Sequence, residues 1–457
     1  MNPLIILLIA IIAVVGMIIV LRVNAFVALT TAAILVSLLA PGPAEDKISR
    51  VAREFGNVAG NIGIVIALAA IVAKCLLDSG AADQIVRSFL RLLGEKRASW
   101  ALLASGFVLS IPVFFDTVFY LLAPLARSLW RRTHRNYILY VTAVVAGAAI
   151  THNLVPPTPG PLFAADRFNI DLGLMILVGT LIALPTAVVG LLACTIINRF
   201  MDVPMRPYAG EPEPEPLADK QLPPLWISLL PVVLPVLLIS ANTVAKACAK
   251  GEGIPAFVTN LVAVTAIIGQ PNLALLISAA IAMSLLTWKR RLSLKQLAQR
   301  ADEALTSGGI IILITSGGGA LGGMLRTAGI QDSVANLMGA GEQITGLAIL
   351  AMAFAVSSLV KFAQGSSTVA IITASSMFAA MGITSEVLGC HVVYLATAIC
   401  SGALVGDWMN DSGFWVVARM SVLTEIETLK SFTIVTAVVG MTSFGFTLVF
   451  AKLLPLT

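Results

Sequence analysis

ASWALLASGFVLSIPVFFDTVFYLLAPLARSLW, residues 98–130, is an apolar run broken near its middle by Ile111-Pro112 and Phe115-Asp116-Thr117. It reads as two half-helices that meet at a polar tip, a re-entrant helical hairpin. A second stretch, 343–380, has the same design and breaks at Lys361-Phe362-Ala363-Gln364-Gly365-Ser366-Ser367-Thr368. Each tip carries backbone groups and a charge that lipid cannot satisfy, so at membrane depth it must line a cavity within protein.

The rest of the chain supplies the membrane context. Of 457 residues 58% are hydrophobic and 12% charged, against about 25% charged in soluble domains. Apolar runs of spanning length recur from one end to the other, so the expected class is an all-α polytopic membrane protein. The first run, 3–21, has no basic start and no small-residue cleavage site, and is expected to be a retained helix. The net charge of +5 lies in short loops, as orientation signals do, and implies no nucleic-acid partner. Cys75, Cys194, Cys248, Cys390 and Cys400 form no CxxC and have no histidine at metal spacing; they are expected to pack.

In chain order, helices at 4–21 and 24–40 are joined at Arg22 and followed by a polar loop, 41–54, and a span at 56–77. Within 78–97, Ile85, Phe89, Leu92 and Leu93 oppose Arg87, Arg91, Lys96 and Arg97, the pattern of an interfacial helix on the basic side. Arg127, Arg131, Arg132, His134 and Arg135 close the first hairpin, so both its ends are basic and it is expected to enter from the cytoplasm. A span at 136–165 is interrupted between Thr151 and Pro161, where four prolines in six residues cannot continue a helix. After a helix at 172–198, the linker 199–224 contains Glu211-Pro212-Glu213-Pro214-Glu215-Pro216 and separates a first half, 1–198, from a second, 225–457. The second half reads as a span at 225–245, a short interfacial or re-entrant piece at 255–268, and a span at 272–287. A glycine-rich helix at 303–325, the second hairpin, an interrupted span at 386–415 and a last helix at 430–451 follow.

The halves superpose in sequence order. LLDSGAAD at 76–83 matches LRTAGIQD at 325–332, with Gly80 on Gly329 and Asp83 on Asp332. The same shift, within two residues, places hairpin on hairpin and the Thr151–Pro161 break on Ser401–Asp411. Basic residues follow Asp83, but 333–343, SVANLMGAGEQ, has none. The expectation is two inverted-topology repeats, each with a re-entrant hairpin and an interrupted helix, the layout of a secondary transporter with its site near the midplane.

Four polar breaks should then converge. Half-helix N-termini offer unpaired amides and a positive dipole end, suited to a carboxylate. Candidate substrate ligands are Thr117, His152, Asn153, Thr158, Lys361, Gln364, Gly365, Ser366, Ser367, Thr368, Asn410 and Ser412. Lys361 adds a positive charge beside hydroxyls, which fits an anionic, hydroxyl-bearing solute; its alternative is a lysine snorkelling to an interface. An ionised carboxylate at the bilayer centre costs roughly 3 kcal/mol, so Asp116 must be paired, protonated or functional. Asp116, His152, Asp407 and Asp411 are candidates for proton coupling. No GxxxxGK[ST] supports ATP-driven transport, and the glycines of Ser316–Gly323 lie in an apolar run where small residues permit close helix packing. A membrane-embedded enzyme is the alternative class, but nothing in the sequence places a nucleophile beside a base.

IPVFFDTVFYLLAPLA at 111–126, HNLVPPTPGP at 152–161, KFAQGSSTVAIITA at 361–374 and GDWMNDSGFW at 406–415 resemble the gluconate:proton symporter (GntP) family. That family lies within a superfamily that also holds divalent-anion/sodium symporters. The resemblance implies paired re-entrant hairpins, a homodimer held by scaffold helices, an elevator-like movement of the transport core and residence in the inner membrane. Hairpin tips of the divalent-anion relatives carry Ser-Asn-Thr, whereas these read Phe-Asp-Thr and Gly-Ser-Ser-Thr, which favours protons over sodium. Family substrates are gluconate and related sugar acids, glycerate or D-serine. The reading is thus a proton-coupled importer of a sugar-acid anion, most simply gluconate, without cofactor or metal; sodium coupling or another carboxylate is the alternative.

Overall fold

The computed structural model describes residues 2–21, 23–201, 203–207, 221–249, 256–330, 345–409 and 411–456. Arg22, most of the Pro/Glu linker, Asn410 and 331–344, with Asp332 and the segment after it, lie outside the described residues. Those described form helices and connecting turns, with no strand among them. The helices are α1 (Pro3–Val15), α2 (Ala25–Leu39), α3 (Asp46–Ser79), α4 (Ala81–Leu93), α5 (Ala98–Leu109), α6 (Phe115–Thr133), α7 (Tyr137–Leu154), α8 (Pro159–Arg167) and α9 (Leu172–Phe200). After the linker come α10 (Leu225–Cys248), α11 (Ala256–Ile268), α12 (Pro271–Arg290), α13 (Leu294–Thr327), α14 (Gly346–Gln364), α15 (Ser367–Ala380), α16 (Val393–Gly402) and α17 (Ser412–Ser421). A last helical stretch, α18, covers Glu425–Leu453.

Seven helical stretches among the described residues are long and apolar enough to cross a membrane. The outer helices leave Leu192, Leu237 and Ile267 exposed, the surface a bilayer would cover. Two apolar clusters hold the body together. One joins α5, α6, α7, α9, α16, α17 and α18 around α7. The other joins α1, α2, α3, α8, α13 and α15.

Each expected interruption is a real one, with small differences in place. The first hairpin breaks at 110–114, one turn earlier than its polar residues, because Pro112 cannot donate within a helix and biases Ile111 away from helical backbone. Asp116 and Thr117 therefore lie in the first turn of α6, where a carboxylate is favoured by the helix N-terminus. The span at 136–165 splits into α7 and α8, and α8 restarts with Pro159 at its first position, which needs no amide. The last interrupted span runs on to Ser421.

Two helices exceed their expected limits. The loop foreseen at 41–54 is helical from Asp46, and α13 begins at Leu294, nine residues before the glycine-rich stretch foreseen at 303. Each has 34 residues, about 51 Å at 1.5 Å per residue, so each outruns a hydrocarbon core of about 30 Å and its polar turns project beyond it. Lys74 of α3 pairs with Glu303 of α13 at 3.0 Å in one such region. Cys248 departs from the packing expectation: it is exposed, while the other four cysteines are buried.

Helix lengths recur between the halves. After the equal α3 and α13, Gly80 and Gly329 both adopt φ +80°; α9 and α18 have 29 residues each.

α13 presents its glycines to three neighbours. A Cβ at Gly319 would lie 2.2 Å from Val58 of α3, one at Gly317 3.0 Å from Thr30 of α2, and one at Gly318 2.0 Å from Ile372 of α15. Ser376 of α15 donates to the Gly318 carbonyl at 2.8 Å. Nearby, Asn61 of α3 donates to Asp166 of α8 at 3.0 Å.

At one end of the molecule, residues 203–207 are tied to both halves. Arg206 makes a two-pronged pair with Glu427, both contacts 2.7 Å, and also donates to the Val422 carbonyl. The buried Arg127 of α6 donates to the Arg206 carbonyl at 2.7 Å, and Tyr137 of α7 donates to the Ser421 carbonyl at 2.8 Å.

Candidate functional site

The four breaks meet at one cavity of about 400 Å³. Its wall comprises Phe114, Phe115 and Asp116 from the first hairpin, and Ala149, His152 and Asn153 from the end of α7. Gly365 to Thr368 come from the second hairpin, Asp407, Asp411 and Ser412 from the α16–α17 break, and Phe432 from α18. Ten of the sequence-derived candidates line it: Asp116, His152, Asn153, Gly365, Ser366, Ser367, Thr368, Asp407, Asp411 and Ser412.

The remaining candidates stand elsewhere. Thr117 is half-buried in α6 and absent from the wall. Thr158 is buried and donates to the Val155 carbonyl at 2.7 Å, closing the turn between α7 and α8. Asn410 and the Gln364 side chain lie outside the described part. Lys361 is 1% exposed and lies behind the wall, so it does not snorkel. Its ammonium donates to the Gly365 carbonyl at 2.7 Å and pairs with both Asp407 and Asp411. Two of its three N–H groups are thereby donated to Gly365 and Asp411, and Asp407 lies against the same ammonium as an ion pair. The positive charge seen in sequence is thus committed to two carboxylates of the wall.

Local sequence explains how these groups are held. Gly365 ends α14 at φ +87°, a left-handed cap that returns its carbonyl to Lys361. Ser366 then caps α15, its hydroxyl accepting from the Val369 amide at 3.4 Å, so the amide end of α15 faces the cavity region with Ser367 and Thr368 in its first turn. Asp411 caps α17 by accepting from the Gly413 amide at 2.5 Å while its other oxygen meets Lys361. Ser412 donates to Asp116 at 3.1 Å, joining the first hairpin to the last break. Phe114 packs edge-to-face on His152, with ring centres 6.0 Å apart.

Some of this machinery has no signal in the sequence. Thr436 accepts from the Asp407 amide at 3.1 Å and Thr433 donates to the Asp407 carbonyl at 2.5 Å, so α18 fixes the turn that carries Asp407. Trp408 stacks on Phe362, ring centres 4.9 Å apart and planes within 8°, and donates to the Phe362 carbonyl at 2.8 Å. Thr433 and Thr436 lie on an ordinary apolar stretch, and Phe362 and Trp408 sit within the polar breaks without a chemical signal of their own; only their fold neighbours give them a role.

Among the described residues, three carboxylates and one ammonium make up the charge at the cavity, and no Lys or Arg lines its wall. With all four groups ionised the balance is two negative charges in a buried setting, an excess that bound protons or cations would relieve.

Residues 2–453 match the family model described as GntP family permease. The chain is a GntP family permease. It is therefore a membrane transporter. The inner membrane permease YgbN of Escherichia coli is 34% identical to this GntP permease, over 93% of this chain and 92% of the relative. A gluconate permease of Pseudomonas aeruginosa is 31% identical, over 97% of each chain. Among solved structures, the YdaH transporter of Alcanivorax borkumensis shares the fold with a TM-score of 0.63 at 15% identity, over 94% of this chain and 98% of that one.

Proposed function

We propose that this GntP permease imports gluconate or a closely related sugar acid across the bacterial inner membrane, driven by protons. The observation that carries this reading is the convergence of four helix breaks on a polar cavity beside which the Lys361 ammonium is already held by two carboxylates. An anionic solute bound there meets the amide end of α15 and the hydroxyls of Ser366, Ser367 and Thr368. Protonation of Asp116 or Asp407 lowers the excess negative charge by one, which couples proton entry to anion entry; His152 and Asp411 line the same space. The name of the Pseudomonas relative supports gluconate, and that of the Escherichia relative supports the inner membrane.

In this reading residues 1–198 and 225–457 are inverted repeats with re-entrant hairpins α5–α6 and α14–α15. The recurring helix lengths and the paired positive-φ glycines support it. The basic flanks of 98–130 place that hairpin on the cytoplasmic side. Alternating access is elevator-like: the layer containing α8 and α15 moves against α2, α3 and α13 in a homodimer. The glycine face of α13, which holds α15 close with few polar ties, supports such sliding.

The test uses purified protein in liposomes. Labelled gluconate should accumulate under an inward proton gradient; accumulation only under a sodium gradient would reassign the coupling ion. Chemically altered product without accumulation would sink the transport reading.

A further inference from the structure

Two polar atoms on the α7 side of the cavity have no hydrogen-bond partner: Nδ1 of His152 and Oδ1 of Asn153. Asn153 is 3% exposed and lines the cavity. The orientation of its amide follows from the helix, because its nitrogen donates to the Ala149 carbonyl at 3.0 Å and so the oxygen is the atom left over. A buried carbonyl oxygen without a donor is costly and rare, and it marks the place where a donor arrives.

The cavity is also polarised. The N-terminus of α15 brings positive partial charge and hydroxyls to one side, while α7 brings its C-terminus, the negative end of its dipole, to the other. A carboxylate belongs on the first side and hydroxyl donors on the second. We infer that Asn153 is a specificity-determining residue whose Oδ1 accepts a hydrogen bond from a substrate hydroxyl, with His152 Nδ1 beside it. The substrate lies with its carboxylate on α15 and its hydroxylated carbon chain along the end of α7. This rests on the sugar-acid reading above and adds to it: the site selects for a hydroxyl at one position of the chain, not merely for a small carboxylate.

The experiment measures binding of gluconate and of gluconates lacking one hydroxyl at each position in turn, to purified wild type, Asn153→Ala and Asn153→Thr. Thr can still bond the Ala149 carbonyl and keep the helix end, but is too short to place an acceptor in the cavity, so it covers the case in which the alanine variant does not fold. Wild type should lose roughly 10- to 100-fold in affinity for one deoxy acid, the size of a hydrogen bond left unmade in a buried site. In the variants that one loss should shrink to about twofold, with penalties at the other positions unchanged. Equal weakening of gluconate and every deoxy acid would reduce Asn153 to a structural role and overturn the inference while leaving the sugar-acid reading standing. A wild type that binds none of these acids would overturn that reading, and this inference with it.

Discussion

Lys361 and Asp116 illustrate how much a single residue's meaning depends on its neighbours. In sequence Lys361 is an isolated cation at a polar tip, open to a substrate anion; in the fold it donates to Gly365 and Asp411 and is ion-paired with Asp407 as well. Its first duty is to make two buried carboxylates tolerable. Lys361→Gln should therefore destabilise the protein by about 3–5 kcal/mol, the cost of removing one partner from a buried ionic cluster. A lower melting temperature in detergent checks this, and adding Asp411→Asn should recover part of the loss. Asp116 has a hydroxyl partner, Ser412, and no ion pair with a cation among the described residues. Asp116→Asn is expected to abolish gradient-driven uptake in liposomes while preserving exchange of substrate across the membrane. Full accumulation by the variant would remove Asp116 from the coupling step.

At the level of helices, interruptions were the legible part. Pro112, Pro156 and Pro157 fall in the breaks, and Pro159 and Pro161 fall in the first turn of the restarted helix, where a missing amide is tolerated. Helix ends in polar sequence were less legible: Asp46–Glu54 reads as a loop because its residues are charged, yet α3 runs through them, since a helix leaving the bilayer needs no apolar face. The neutralisation of Lys361 was illegible, because its partners are 46 and 50 residues further along the chain and only tertiary structure brings them to it. Close approach at α13 was foreseen in kind, as glycines permitting packing, though not which helices they meet. Gly318→Ala should cost about 1–3 kcal/mol by overpacking against Ile372. Combined with Ile372→Ala, the loss should be smaller than the sum of the two single losses, by about 0.5–3 kcal/mol in thermal unfolding. Strict additivity would mean the two residues do not meet.

For the whole molecule, the orientation of the first hairpin assigns a side to every loop. If the first hairpin enters from the cytoplasm, α7–α8 crosses outward, α9 returns, the linker is cytoplasmic and α10 delivers its far end outside. Cys248 ends α10 and is the exposed cysteine of the five. A membrane-impermeant maleimide should then label intact cells at Cys248, and Cys248→Ser should abolish the signal. Labelling only after permeabilisation would reverse the orientation proposed for the chain.

The pairing of Arg206 with Glu427 has a practical corollary. The peptide that leads into the linker is gripped by Glu427 and the Val422 carbonyl from the second half and by Arg127 from the first. A chain severed within 208–220 would leave Arg206 on the amino-terminal fragment as a ready-made handle for the carboxy-terminal one. Co-expressed fragments 1–214 and 215–457 should co-purify and restore uptake, and Arg206→Ala in the first fragment should weaken their association far more than it weakens the intact transporter, where covalent connection keeps the partners at high effective concentration.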